Sequence, residues 1–88
     1  MPYRKDFPAA VMAIMTEIHA GHTFARVAMT SRFSDKRARN TANAQKAYDT
    51  ARRWTRETAL SSEESKEIAE QLELLETDLA KLKKHSKT

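Results

Sequence analysis

Residues 68–82 have the sequence IAEQLELLETDLAKL, and their apolar positions decide the fold class. These positions are spaced four, three, four and three residues apart, at Ile68, Leu72, Leu75, Leu79 and Leu82. Because an α-helix has about 3.6 residues per turn, this spacing winds one narrow apolar stripe down a helix. Two heptads are too few for an independent coiled coil. The stripe is therefore predicted to be covered by other helices of the same chain.

Length and composition predict a single helical domain over residues 1–88. The chain has no cysteine, which excludes disulfides. It has only one glycine and two prolines, and these are too few turn-forming residues for a sheet with several tight turns. We expect an all-α fold, a small antiparallel three-helix bundle with helices at about 8–30, 35–58 and 62–84. Residues 1–6 and 85–88 are predicted to be flexible tails. The alternative is a helical hairpin that dimerises through the first helix, and dimerisation of the bundle itself would also add buried area.

The first predicted helix begins at Pro8, because proline suits the first helical position. One face of this helix is apolar, through Val11, Ile14, Ile18, Ala25 and either Ala28 or Met29. Gly21 interrupts the pattern and has three interpretations: a kink, a point of close packing, or the end of one helix before another begins. We expect one continuous helix with Gly21 as its weak point.

A turn near residues 30–35 precedes the second predicted helix. Phe33 is expected to point inward, and Ser34 or Asp35 to cap the helix, with Asn40 as an alternative start. Small side chains dominate the face predicted to be buried, which lets another helix approach closely. This face consists of Ala44, Ala47, Tyr48, Ala51, Thr55 and Thr58. Tyr48 is assigned to the core, whereas Trp54 on the flank is left open between core and interface.

The start of the third predicted helix carries the strongest local signal in the chain. Ser61 is followed three residues later by Glu64, which is the spacing of a capping box. Acidic residues in the first turns and lysines in the last turn also match the helix dipole. The helix is therefore predicted to begin at residue 62 and to run back along the second helix.

Positive charge is concentrated in the middle third of the chain. The net charge is +4, and residues 31–60 carry eight Lys/Arg against three Asp/Glu. The cations predicted to contact a nucleic-acid backbone are Arg39, Lys46, Arg52, Arg53 and Arg56. The competing interpretation is a solvated face neutralised by the third helix, through the pairs Arg56–Glu64, Arg53–Glu67 and Lys46–Glu73. No helix-turn-helix pattern accompanies the charge, so nucleic-acid binding is the second hypothesis.

Metal binding and catalysis are weaker hypotheses. A stripe on the first helix carries Met12, Met15, His19, His22 and Met29. The two histidines are one turn apart and suit copper or zinc, yet the pattern offers no third and fourth ligand. The methionines are better explained as gap-filling side chains. No Gly-rich phosphate loop, H-E-x-x-H motif or nucleophile elbow occurs, so we predict no enzyme activity, no catalytic residue, no metal and no cofactor.

Protein–protein contact is the leading functional hypothesis, as a homodimer or as an adaptor. The residues assigned to the interface are Trp54, Leu74, Met12 and Met15. Large aromatic side chains often anchor interfaces, and Leu74 lies off the apolar stripe, toward the flank of Gln71 and Asp78. No window reaches the roughly 18 apolar residues of a membrane span, so we predict no membrane partner and a cytoplasmic location.

Overall fold

The computed structural model describes residues 8–86, and for residues 85 and 86 only the backbone. Its three helices are α1 (Ala9–Thr30), α2 (Ser34–Glu57) and α3 (Ser62–Ser86), and residues 8–86 contain no strand. Turns of three and four residues join them, so consecutive helices run antiparallel and α1 is parallel to α3. The predicted all-α three-helix bundle is confirmed.

The helix bounds agree with the sequence prediction to within two residues. Pro8 directly precedes α1 rather than opening it, and its carbonyl accepts a hydrogen bond from the Met12 N–H at 3.1 Å. The α3 helix continues to Ser86, two residues beyond its predicted end, while the flexibility predicted for residues 85–88 stays a prediction. The predicted tail over residues 1–6 and the last two residues lie outside the described part.

The core is built from the apolar stripes that the spacing predicted. Its fully buried members include Ile14 and Ile18 of α1 and Ile68 and Leu75 of α3. The small side chains of α2 are buried as predicted, Tyr48 is in the core, and Ala28 rather than Met29 ends the α1 stripe. The two threonines of the predicted α2 face are only partly buried, and each hydroxyl donates to a carbonyl one turn earlier.

At Gly21 the three helices are in close contact. The α1 helix is continuous through it, so the predicted single helix is confirmed and the helix end is excluded. A Cβ built on Gly21 would lie 2.6 Å from Leu75 Cδ2 and 3.3 Å from Ala47 Cβ. Of the three interpretations of this glycine, close packing is therefore the correct one.

The turn between α1 and α2 differs from its prediction. Phe33 does not point inward: it precedes α2 at the capping position and is 66% exposed. Ser34 is already helical, which also rules out the start at Asn40, and the Asp35 carboxylate accepts from the neighbouring Lys36 N–H at 2.9 Å. The physical reason is local: the Ser31 hydroxyl accepts from the Phe33 N–H, and this bond holds the turn with the ring outside.

The turn between α2 and α3 forms as its sequence predicts. The Ser61 hydroxyl accepts from the Glu64 N–H at 3.1 Å, and the Glu64 carboxylate accepts from the Ser61 N–H at 3.0 Å. These reciprocal bonds are the capping box, and they satisfy two donors at the start of α3. The box therefore fixes where α3 begins.

Candidate functional site

An open groove lies between α1 and α3, with a volume of about 690 Å³. Its floor includes the core residue Ile18, and Gln71 contributes the wall from α3. The α1 wall carries the predicted stripe together with small and polar neighbours, namely Met12, Met15, Thr16, His19, Ala20, His22 and Thr23. We call this surface the α1/α3 groove. It is concave and mixed in character, with apolar and polar side chains within reach of one another.

His22 links the two walls of the groove. Its Nδ1 lies 3.2 Å from Asp78 Oδ2 across the α1–α3 contact, and both side chains are about a quarter to a third exposed (24% and 32%). This contact is an ion pair when His22 is protonated. Partial exposure keeps its contribution to stability small. Its main effect is on position, because it ties the end of the His22 side chain to α3.

The two histidines of α1 are not part of a larger cluster of metal ligands among the described residues. His22 already uses one ring nitrogen for Asp78. Within residues 8–86 no group of three or more His, Cys, Asp or Glu side chains is placed to bind a metal ion. His19 is exposed on the α1 wall, one turn from His22. Among the described residues, the two histidines therefore have no cluster of further ligands around them.

Three of the four predicted interface residues belong to the same side of the bundle. Met12 and Met15 line the α1/α3 groove, each partly exposed. Leu74 is 56% exposed on α3, one turn from Gln71 and from Asp78, but it is not among the residues that line the groove. Trp54 is not part of this set, because it is partly buried against the core from α2.

The five predicted nucleic-acid contacts are all exposed on α2. Arg39, Lys46 and Arg53 form one stripe, since residues seven apart lie on nearly the same side of a helix. Two acids, Asp49 and Glu57, fall along the same side and interrupt it. Gln45 donates to the Asp49 carboxylate at 3.1 Å, which leaves the charge of Asp49 in place.

The predicted neutralisation of this face by α3 is wrong for two of its three pairs. In the described part of the chain, neither Arg56 nor Lys46 lies within 4.0 Å of a carboxylate, so the pairs with Glu64 and Glu73 are not formed. Glu64 instead uses its carboxylate in the capping box. The third pair stays a prediction.

Sequence reasoning found the α1 wall of the groove but not the surface as a whole. The Met and His spacing on α1 is visible in the sequence, because it has helical periodicity. The place of Gln71 opposite that wall depends on how α3 docks, which no local pattern encodes. Exposed Phe33 was also missed, since an isolated aromatic in a turn has no periodicity that would indicate its direction.

Comparison of the chain with protein-family models, curated proteins and solved structures finds no match.

Proposed function

We propose that this protein acts by protein–protein contact through the α1/α3 groove, without catalysis, as a homodimer or as an adaptor. The observation that carries the proposal is the groove wall of Met12 and Met15, which the described residues leave partly exposed. Leu74, which is 56% exposed on α3, adds an apolar side chain one turn from Gln71 of the opposite wall. Apolar side chains gathered on one exposed surface commonly mark a binding site. Methionine suits such a surface, because its flexible thioether chain adapts to different partners.

The shape of the groove favours a helix as the bound element. Two parallel helices with an open channel between them accept the apolar face of a third helix, as in other helix-in-groove complexes. His19 and Gln71 on the rim supply polar contacts that would orient the bound helix. Self-association would also add buried apolar area to a domain whose α2 face is built mainly from alanine. A cysteine-free chain suits the cytoplasm, which is where we place the interaction.

Two variants of the groove test the proposal against a matched control. Met15→Gln and Leu74→Gln each remove apolar surface from the groove side, whereas Val27→Gln removes a partly exposed apolar side chain elsewhere on α1. Light scattering at two concentrations measures self-association, and pull-down from lysate after nuclease treatment measures other protein partners. We expect dimerisation or nuclease-resistant capture that both groove variants weaken and the control retains. A strict monomer excludes the homodimer, and capture that is indifferent to Met15 and Leu74 excludes the adaptor.

A second candidate function is phosphate-backbone binding by the exposed face of α2. It is favoured by the absence of two of the predicted neutralising ion pairs among the described residues. Salt dependence provides the test: each lost phosphate contact lowers the slope of log affinity against log salt by about 0.9 for duplex DNA. We expect Arg53→Gln to lower the slope if this face binds. An unchanged slope for Arg39→Gln, Lys46→Gln and Arg53→Gln excludes it.

A further inference from the structure

One end of the bundle collects more positive charge than the whole protein carries. The end of α1, the start of α2 and the end of α3 meet there. Gly21, Ala47 and Leu75 lie at the same height along the bundle axis, and the three helix ends are at similar distances from them. We define this surface, residues 26–39 together with 81–84, as the turn end. It contains eight Lys/Arg and one Asp, so its net charge is +7, while the chain as a whole has +4. The rest of the molecule is therefore net negative.

The cations of the turn end are available to a ligand. Seven of the eight are exposed, and they are Arg26, Arg32, Lys36, Arg39, Lys81, Lys83 and Lys84. The eighth, Arg37, is partly buried and donates to the Ser31 carbonyl at 3.4 Å. Among residues 8–86, none of the eight is within 4.0 Å of a carboxylate. Arg53 and Arg56 belong to the opposite end of the bundle, where α3 begins with the acidic residues Glu63 and Glu64.

Exposed apolar side chains are concentrated at the same end. Within the described part of the chain, four large hydrophobic residues are exposed by about a third or more, and three belong to the turn end: Val27, Met29 and Phe33. Val27 and Met29 are about 200° apart around α1, so they do not form one stripe along its side. What they share with Phe33 is their level near the end of the helix. The three side chains therefore form an apolar surface at the end of the bundle rather than along its side.

We propose that the turn end binds the surface of a membrane that contains anionic lipids. Cations placed around exposed apolar side chains are the combination that binds lipid phosphates while apolar groups enter the headgroup boundary. Nucleic acid fits less well. Its phosphates would engage the cations and a base could stack on Phe33, but exposed Val27 and Met29 would have no role. No helix within residues 8–86 has the length and hydropathy to cross a bilayer, so this contact is peripheral.

Flotation of the full chain with lipid vesicles tests the proposal. The probes are vesicles of phosphatidylserine mixed with phosphatidylcholine, and vesicles of phosphatidylcholine alone. Lys36→Gln/Arg39→Gln removes two charges from the turn end, and Arg53→Gln/Arg56→Gln removes two from the opposite end of the same helix. Each cation near an anionic leaflet raises partition about fivefold, so we expect the first pair to weaken binding roughly 30-fold. The second pair should change it by less than about threefold, because those cations stay farther from the surface than a Debye length of about 8 Å.

Phe33→Ser tests the apolar part of the surface separately. Serine is a favoured residue at the position before a helix, and Phe33 is mostly exposed, so the fold should be preserved. We expect partition onto the anionic vesicles to fall about tenfold, the lower range for burial of an aromatic side chain. Leu74→Gln, on the groove side, should leave partition unchanged.

Four results would overturn the proposal. These are equal binding to the two kinds of vesicle, equal losses from the two charge pairs, no loss from Phe33→Ser, and binding to an oligonucleotide without binding to vesicles. The last result would assign the turn end to nucleic acid. None of these outcomes depends on the α1/α3 groove, so the two proposals fail separately.

Discussion

Replacing Gly21 by alanine tests the geometry on which the bundle depends. The added Cβ would lie 2.6 Å from Leu75 Cδ2, whereas non-bonded carbons prefer about 3.5–4.0 Å. Leu75 is fully buried, so its side chain cannot turn away into solvent. Either the helices must therefore separate by about 1 Å, or Leu75 must leave its preferred rotamer.

The expected magnitude follows from two opposing effects. Alanine is favoured over glycine inside a helix by about 1 kcal/mol. Overpacking a filled core costs about 1–3 kcal/mol. We therefore expect Gly21→Ala to lower the free energy of unfolding by about 1 kcal/mol, which is measurable against the roughly 4–13 kcal/mol typical of a domain of this length.

Urea denaturation followed by far-UV circular dichroism provides the measurement. Ala13→Gly is the matched control, because Ala13 is exposed on the same helix and the change should cost about 1 kcal/mol through helix propensity alone. In a Leu75→Ala background the main steric conflict is absent, so Gly21→Ala should become stabilising. If Gly21→Ala instead stabilises the wild-type protein by about 1 kcal/mol, propensity alone acts there and the close approach of the three helices is refuted.

Three further experiments probe the α3 cap, the contact between α1 and α3, and the turn before α2. Ser61→Ala should lower the free energy of unfolding by about 1 kcal/mol, because it removes the capping box. Ser65→Ala, inside the same helix, should not, and equal effects of the two variants in urea denaturation would contradict the cap. A double-mutant cycle of His22→Ala and Asp78→Asn should give a coupling below about 1 kcal/mol, because both groups are partly exposed; a larger coupling would mean that this bond holds α3 in place. Phe33→Ser should leave the thermal midpoint unchanged or raise it, and a fall of several degrees would place the ring in the core after all.

The accuracy of the sequence-based expectations follows the range of the interactions involved. The capping box was predictable because both of its bonds join residues three apart. Phe33 was mispredicted because its direction depends on the Ser31 hydroxyl and on a turn with no periodic pattern. Gly21 left three interpretations open, since a glycine in a helix has the same sequence signature whether it bends the helix or admits a neighbour. Only the positions of Leu75 and Ala47 decide between them.

The sequence by itself determined the number of helices, their bounds to within two residues and the identity of the core stripe. These properties arise from helical periodicity and from hydrogen bonds between residues close in the chain. Tertiary structure alone decided which exposed surfaces are neighbours. It set Gln71 of α3 beside the methionine wall of α1, and it brought the lysines that end α3 to the same end of the bundle as the arginines that begin α2. The physical reason is that docking joins residues dozens of positions apart, through packing at Gly21 that no local pattern records.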